Sequence, residues 1–264
     1  MNYKKKKMKL KYSILIVAFG AILLWSSGCH KPYGISGNNQ VTTETRQMFS
    51  FDNIVNEGSF NVYITHDSIY QVIVEAESNL IPHIRTLVNG NTLIIDTRES
   101  LNNHSPMNIY VKTPKLYGVD LSGSGLISID SLSTDHLNVE ISGSGNINGE
   151  IVTNNTVNAK ISGSGNIFLE LYTTNIETKI SGSGNIDLSG ESNTGTHTIS
   201  GSGNINSYNF VQKECFAKIS GSGNMYLNVI DYLDANISGS GSIFYLGNPQ
   251  VTVKITGSGS VIHQ

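Results

Sequence analysis

The chain has 264 residues, 38% of them apolar, with 17 Lys and Arg against 20 Asp and Glu for a formal net charge of −3. Six of the 17 basic residues and none of the 20 acids lie in the first 28 positions, which leaves 11 basic against 20 acidic residues beyond them, a charge of −9. That balance, with all three arginines (Arg46, Arg85, Arg98) outside the repeats described below, excludes a nucleic-acid partner.

Residues 1–28 read as an export signal: basic Lys4 to Lys7, Lys9 and Lys11, an apolar core from Ile14 to Trp25, then Ser26, Ser27 and Gly28 before Cys29. The core is too short to cross about 30 Å of hydrocarbon as a helix. Small residues ending at a cysteine predict a lipoprotein signal, with Cys29 acylated and the chain held to a membrane by that lipid. Simple cleavage and a retained anchor are the alternatives, and Met8 is an alternative start. The expected location is the cell envelope, as an outer-membrane lipoprotein, with the surface and periplasmic faces left open. The second cysteine, Cys215, then has no disulfide partner.

Residues 29–45 are polar and rich in Gly, Asn and Thr, and predict a flexible tether. Residues 46–116 are strand-like, with alternation in Phe60 to Ile64, Tyr70 to Val74, Thr92 to Asp96 and Asn108 to Lys112. Ser78 to Arg85 predicts one helical turn with Ser78 as a cap. Two arrangements fit this segment: irregular early rungs, or a cap over an open sheet edge.

Residues 117–264 carry a repeat. Ser-Gly-Ser-Gly starts at Ser122, Ser142, Ser162, Ser181, Ser200, Ser220 and Ser238, with a variant at Thr256, at spacings of 20, 20, 19, 19, 20, 18 and 18 residues. A unit this short cannot bury its own apolar face, so each copy is one rung covered by its neighbours. An apolar column precedes the corner (Leu121, Ile141, Ile161, Ile180, Ile199, Ile219, Ile237, Ile255) and another follows it (Ile127, Ile147, Ile167, Ile186, Ile205, Met225, Ile243, Val261). Each belongs to a strand of alternating inward and outward residues, so the tetrapeptide is a corner between two strands. Its glycines permit a positive φ or close contact with the next rung. Asn146, Asn166, Asn185, Asn204 and Asn224 predict an amide ladder along the stack. The fold class is all-β, a right-handed parallel β-helix of about eight rungs, roughly 35 to 40 Å long at about 4.8 Å per rung. The last corner at Thr256 predicts an uncovered final edge, which invites self-association into a homo-oligomer.

With the signal, the opening Phe51-Asp52-Asn53-Ile54 and Phe60-Asn61-Val62-Tyr63-Ile64, Leu93-Ile94-Ile95 and the Ser-Gly-Ser-Gly-Asn corners read, the chain resembles the head-GIN family of auto-transporter adhesins over roughly residues 49–262. The resemblance implies a β-helix outside the cytoplasm and brings no catalytic motif.

The remaining candidates stand on single columns. Asp130, Glu150 and Glu170, eight residues after their corners, are a candidate cation site, weighed against carboxylates splayed into solvent. Phe168, Tyr226 and Phe244 are outward aromatics able to stack on sugar rings, weighed against pairs that only stabilise the sheet. His197 and Cys215 fall in inward columns and are expected in the core. Acids scattered through the repeats and serines that recur in every rung offer no unique reactive environment. The sequence therefore predicts a binding or adhesion module without cofactor or catalytic residues, in contact with a glycan or an envelope protein. The alternatives are a periplasm-facing structural lipoprotein that self-associates through its open end and a polysaccharide-acting enzyme.

Overall fold

The computed structural model describes residues 34–264; the expected signal and the lipidation residue Cys29 lie outside the described residues. The first nine strands are β1 (Ile35–Ser36), β2 (Val41–Gln47), β3 (Asn53–Asn56), β4 (Asn61–His66), β5 (Gln71–Glu77), β6 (Ile84–Asn89), β7 (Thr92–Thr97), β8 (Leu101–Asn102) and β9 (Asn108–Thr113). The repeats give β10 (Gly118–Leu121), β11 (Leu126–Ser133), β12 (His136–Ile141), β13 (Asn146–Val152), β14 (Thr156–Ile161), β15 (Asn166–Ile180), β16 (Asn185–Ile199) and β17 (Ile205–Ile219). The last are β18 (Met225–Ile237), β19 (Ile243–Leu246), β20 (Gln250–Ile255) and β21 (Val261–His263).

From β10 onward each rung pairs in parallel register with the next, so Val139 lies over Val119 and under Ala159, and Ile147 lies between Ile127 and Ile167. The fold is a β-solenoid whose two apolar columns are buried: Ile141, Ile161, Ile180, Ile199 and Ile219, and Ile147, Ile167, Ile186 and Ile205, all at 0% exposure. In β15, β16 and β17 the strand continues for 15 residues around the third side, where the sequence showed only a variable segment.

The corner glycines are selected by close approach and not by a left-handed backbone, since the glycines with positive φ are Gly34, Gly90, Gly190 and Gly247. A Cβ at Gly163 would stand 2.0 Å from the Gly143 carbonyl oxygen. That contact lets the corner carry a backbone ladder of its own, with the Ser164 N–H donating to Gly143 O and the Ser183 N–H to Gly163 O, both at 3.0 Å. Beside it runs the amide ladder: Asn185 Nδ2 donates to Asn166 Oδ1 and Asn204 Nδ2 to Asn185 Oδ1, each at 3.0 Å. The Oδ1 atoms also accept the next backbone N–H, which ties each corner to its neighbour twice.

The opening segment contains both rungs and a cap. β3 and β4 form a rung against β10 and β11, and β7 and β9 form another on its far side. The chain thus makes its first rung, doubles back outside it, and then resumes on the other side. At the first rung's corner Gly58 stands against Gly123, and Ser59 Oγ lies 3.0 Å from Ser124 Oγ, so Glu57-Gly58-Ser59-Phe60 occupies the place of a tetrapeptide. Beyond β7 and β9 the pairing turns antiparallel, through β6 on one sheet and β5 then β2 on the other. Arg46 of β2 donates to Ile84 O at 2.9 Å and to Thr86 Oγ1 at 3.1 Å, joining β2 to β6 across this end.

Two local expectations need correction. Residues 35–45 of the expected tether are not one: β1 pairs with β8, β2 pairs with β5, and the fully buried Glu77 carboxylate accepts the backbone N–H of Asn39 and of His104. Burial would raise the Glu77 pKa, but the hydrogen bonds from His104, Asn39 and Ser105 outweigh it and hold the carboxyl below its usual value. The turn after β5 is a 3-10 helix at Ile81–His83 preceded by Leu80, without a side-chain cap; Ser78 Oγ instead accepts from Asn38 Nδ2 at 2.8 Å.

Candidate functional site

The outward column six residues after the corner carries the sheet's chemistry. Asn148, Phe168, Asp187, Asn206, Tyr226 and Phe244 stand in unbroken register on six successive rungs. Asn148 to Tyr226 line one side of a groove of about 650 Å³, whose opposite side includes Glu170, Ser189, Tyr208 and Asn209.

A bulge shapes the groove. Asp187 pairs with Asn206, but Ser189 pairs with Asn209, so β17 holds one extra residue there. The insertion turns Phe210 fully inward beside Gly190, which has vacated the space, and leaves Tyr208 on the outer face. Tyr208 meets Tyr226 edge to face at 5.5 Å, and partial burial beside Tyr226 raises its phenol pKa. Tyr226 is in turn stacked on Phe244 at 5.2 Å with the rings 8° apart. One end of the groove is therefore an aromatic wall braced from behind, and near the other, one rung in from Asn148, stands Phe168, 44% exposed. Between them Asn206 Nδ2 donates to Asp187 Oδ1 at 2.9 Å, which fixes both polar heads.

The structure thus brings Phe168 and Tyr226 to one groove and places Phe244 outside its lining, as support for Tyr226. The acidic column separates. Glu150 and Glu170 are in register, but a bulge between Ile129 and Leu132 removes Asp130 from their ladder, and Asp130 Oδ1 accepts the Ser131 N–H. Among the described residues no group of three or more His, Cys, Asp or Glu is placed to hold a metal ion. The corner hydroxyls of Ser122, Ser142, Ser162, Ser181, Ser200, Ser220, Ser238 and Thr256 are exposed in a row along the stack. Asp187, Asn206 and Asn209 were not singled out from sequence; the signal for the insertion that places Asn209 was the 20-residue spacing from Ser200 to Ser220, longer than the spacings on either side.

A second polar cluster lies inside the core. His197 is fully buried, with Nδ1 2.8 Å from Thr178 Oγ1 and Nε2 2.7 Å from Gln212 Oε1. Gln212 can only accept through Oε1, so Nε2 carries the proton and Nδ1 accepts from Thr178. Burial lowers the His197 pKa to about 4, against the opposing pull of the Gln212 hydrogen bond. Gln212 reaches this position because its register partner in the preceding strand, Ser192, is small and because Gly195, opposite Cys215, leaves room for its Oε1 where a Cβ would clash. Cys215 is also fully buried, which pushes its thiol above the ordinary value and makes it a core residue.

A β-solenoid with a capped end, stacked polar corners and an open aromatic groove on one face defines a class of rigid surface-presenting proteins. The family model described as "Putative auto-transporter adhesin, head GIN domain" matches residues 50–170 and 150–249, and the chain belongs to that family. The description is that of an adhesin, an envelope- or surface-associated class. Three solved structures share the fold at a TM-score of 0.82. One, described as a "putative lipid binding protein" from Parabacteroides distasonis, is 26% identical and covers 87% of this chain and 99% of its own. The others are described as putative adhesins: one from Parabacteroides distasonis, 22% identical over 88% of this chain and 100% of its own, and one from Parabacteroides merdae, 23% identical over 88% and 99%. No curated protein matches the chain.

Proposed function

We propose that the protein is a non-enzymatic adhesion module, lipid-anchored through Cys29 at the outer membrane, whose binding face is the groove between Phe168 and Tyr226. The observation that carries this reading is the pairing of two aromatic platforms with fixed polar groups on an otherwise regular face. Family membership supports the adhesive role, and the partner is a glycan or an envelope protein. The polysaccharide-acting enzyme is the weaker reading: Glu170 and Asp187 share the groove, but Asp187 is held by Asn206 and lies on an open, repeated strand face.

The test is retention of the purified chain on mucin-coated and on envelope-coated surfaces. Wild type is retained on one of them, a Phe168→Ala, Tyr226→Ala double variant loses at least about tenfold, and Lys160→Ala on the other sheet has no effect. Equal retention by the double variant would sink the proposal. A second reading, self-association through the last rung, draws on Val253 and Ile255, exposed at 49% and 42% in columns buried elsewhere. Assembly that depends on concentration and is abolished by Val253→Lys would favour it.

A further inference from the structure

The groove runs along the stack. Its lining comes from five successive rungs, from Asn148 to Tyr226, and is no more than four residues wide in any of them. Phe168 and Tyr226 are three rung steps apart in one column, about 14 Å at the usual strand spacing. Between these platforms the outward groups are Asp187 and Asn206, one acceptor pair and one amide, each projecting from its own rung.

Charge narrows the occupant. Glu170 and Asp187 line the groove and no Lys, Arg or His does. An anionic polymer would bring like charge to two carboxylates without a countercharge. An extended peptide recognised by strand addition needs a free sheet edge, and the strands under the groove are paired on both sides. A pyranose ring meets the remaining requirements. Its C–H face stacks on an aromatic ring, its hydroxyls both donate and accept, and in an extended chain it advances by nearly one rung per unit.

We infer that the occupant is a neutral, extended glycan chain lying parallel to the solenoid axis. Its outer units stack on Phe168 and Tyr226, and the units between hydrogen-bond to Asp187 and Asn206. This rests on the groove being the binding face proposed above.

The test is calorimetric titration of the chain with fully N-acetylated chito-oligosaccharides and cello-oligosaccharides of two to six units, and with oligogalacturonates of the same lengths. At least one neutral series should bind, gain at least about tenfold between two and four units and then level off. Phe168→Ala and Tyr226→Ala should each remove about tenfold or more, and oligogalacturonates should bind at least tenfold more weakly. The inference is overturned if neither neutral series binds, if two units bind as well as six, or if oligogalacturonates are preferred. Both substituted side chains are at the surface, and an unchanged melting transition confirms that each variant is folded. Periodate oxidation of the mucin coat separates the two levels: retention that needs Phe168 and Tyr226 yet survives oxidation keeps the groove and removes the glycan, whereas retention independent of both residues removes the groove itself.

Discussion

The buried His197 makes stability depend on pH by an amount that follows from its surroundings. Its pKa falls from 6.5 to about 4 on folding because the imidazolium would be buried, with only neutral Thr178 and Gln212 as partners. At 1.36 kcal/mol per pH unit, that gap is worth about 3 kcal/mol. The unfolded chain takes up the proton first as pH falls, so the contribution is intact above pH 6.5 and is progressively lost toward pH 4. The comparison uses a His197→Ala, Gln212→Val double variant, which installs the residues found at register positions Ala217 and Val229 of adjoining rungs. Urea midpoints are measured for both proteins at pH 7.5, 5.5 and 4. Carboxylates such as Glu77 titrate in both and cancel in the difference. Wild type should lose about 3 kcal/mol more than the variant across this range; parallel loss would refute the assignment of a buried neutral imidazole.

Other outcomes follow from the packing. Gly163→Ala pushes a methyl against the Gly143 carbonyl and should cost about 1 to 3 kcal/mol, while Ser164→Ala at the exposed hydroxyl beside it stays within about 0.5 kcal/mol, both read from denaturant midpoints. Asn185→Ala removes the acceptor of the Asn204 N–H and should lower stability by about 1 to 3 kcal/mol, with faster amide exchange at Asn204. Glu77→Gln should raise amide exchange at Asn39 and His104 and leave the repeat rungs protected; unchanged exchange there would contradict the role given to the carboxylate.

What the sequence exposed was whatever repeats with an apolar period. The Ile columns, the Ser-Gly-Ser-Gly corners and the Asn ladder are each a side-chain type recurring at rung spacing, and the structure stacks them accordingly. Strand β2 escaped notice because it is VTTETRQ, almost wholly exposed, and covers the cap edge through backbone hydrogen bonds instead of apolar alternation. The doubling back of β7 and β9 outside β3 and β4 was hidden for a different reason, since strands in parallel register look alike whichever neighbour they join. At the groove, Phe168 and Tyr226 were visible as outward aromatics. Their common site was not, because it depends on one inserted residue in β17 that re-aims Tyr208 and Phe210. The acidic column failed in the same way, one bulge at Asp130 breaking a ladder that equal spacing had suggested.

The most direct test of the groove is cysteine footprinting in a chain carrying Cys29→Ser, where the buried Cys215 is silent toward maleimide. One variant carries Asn209→Cys at the exposed rim of the groove and another Thr198→Cys on the outer face of the other sheet. Binding to whichever coated surface retains the wild type should slow modification at position 209 by at least about tenfold and leave position 198 unchanged. Protection at 198 with none at 209 would place the contact on the opposite face and contradict the account.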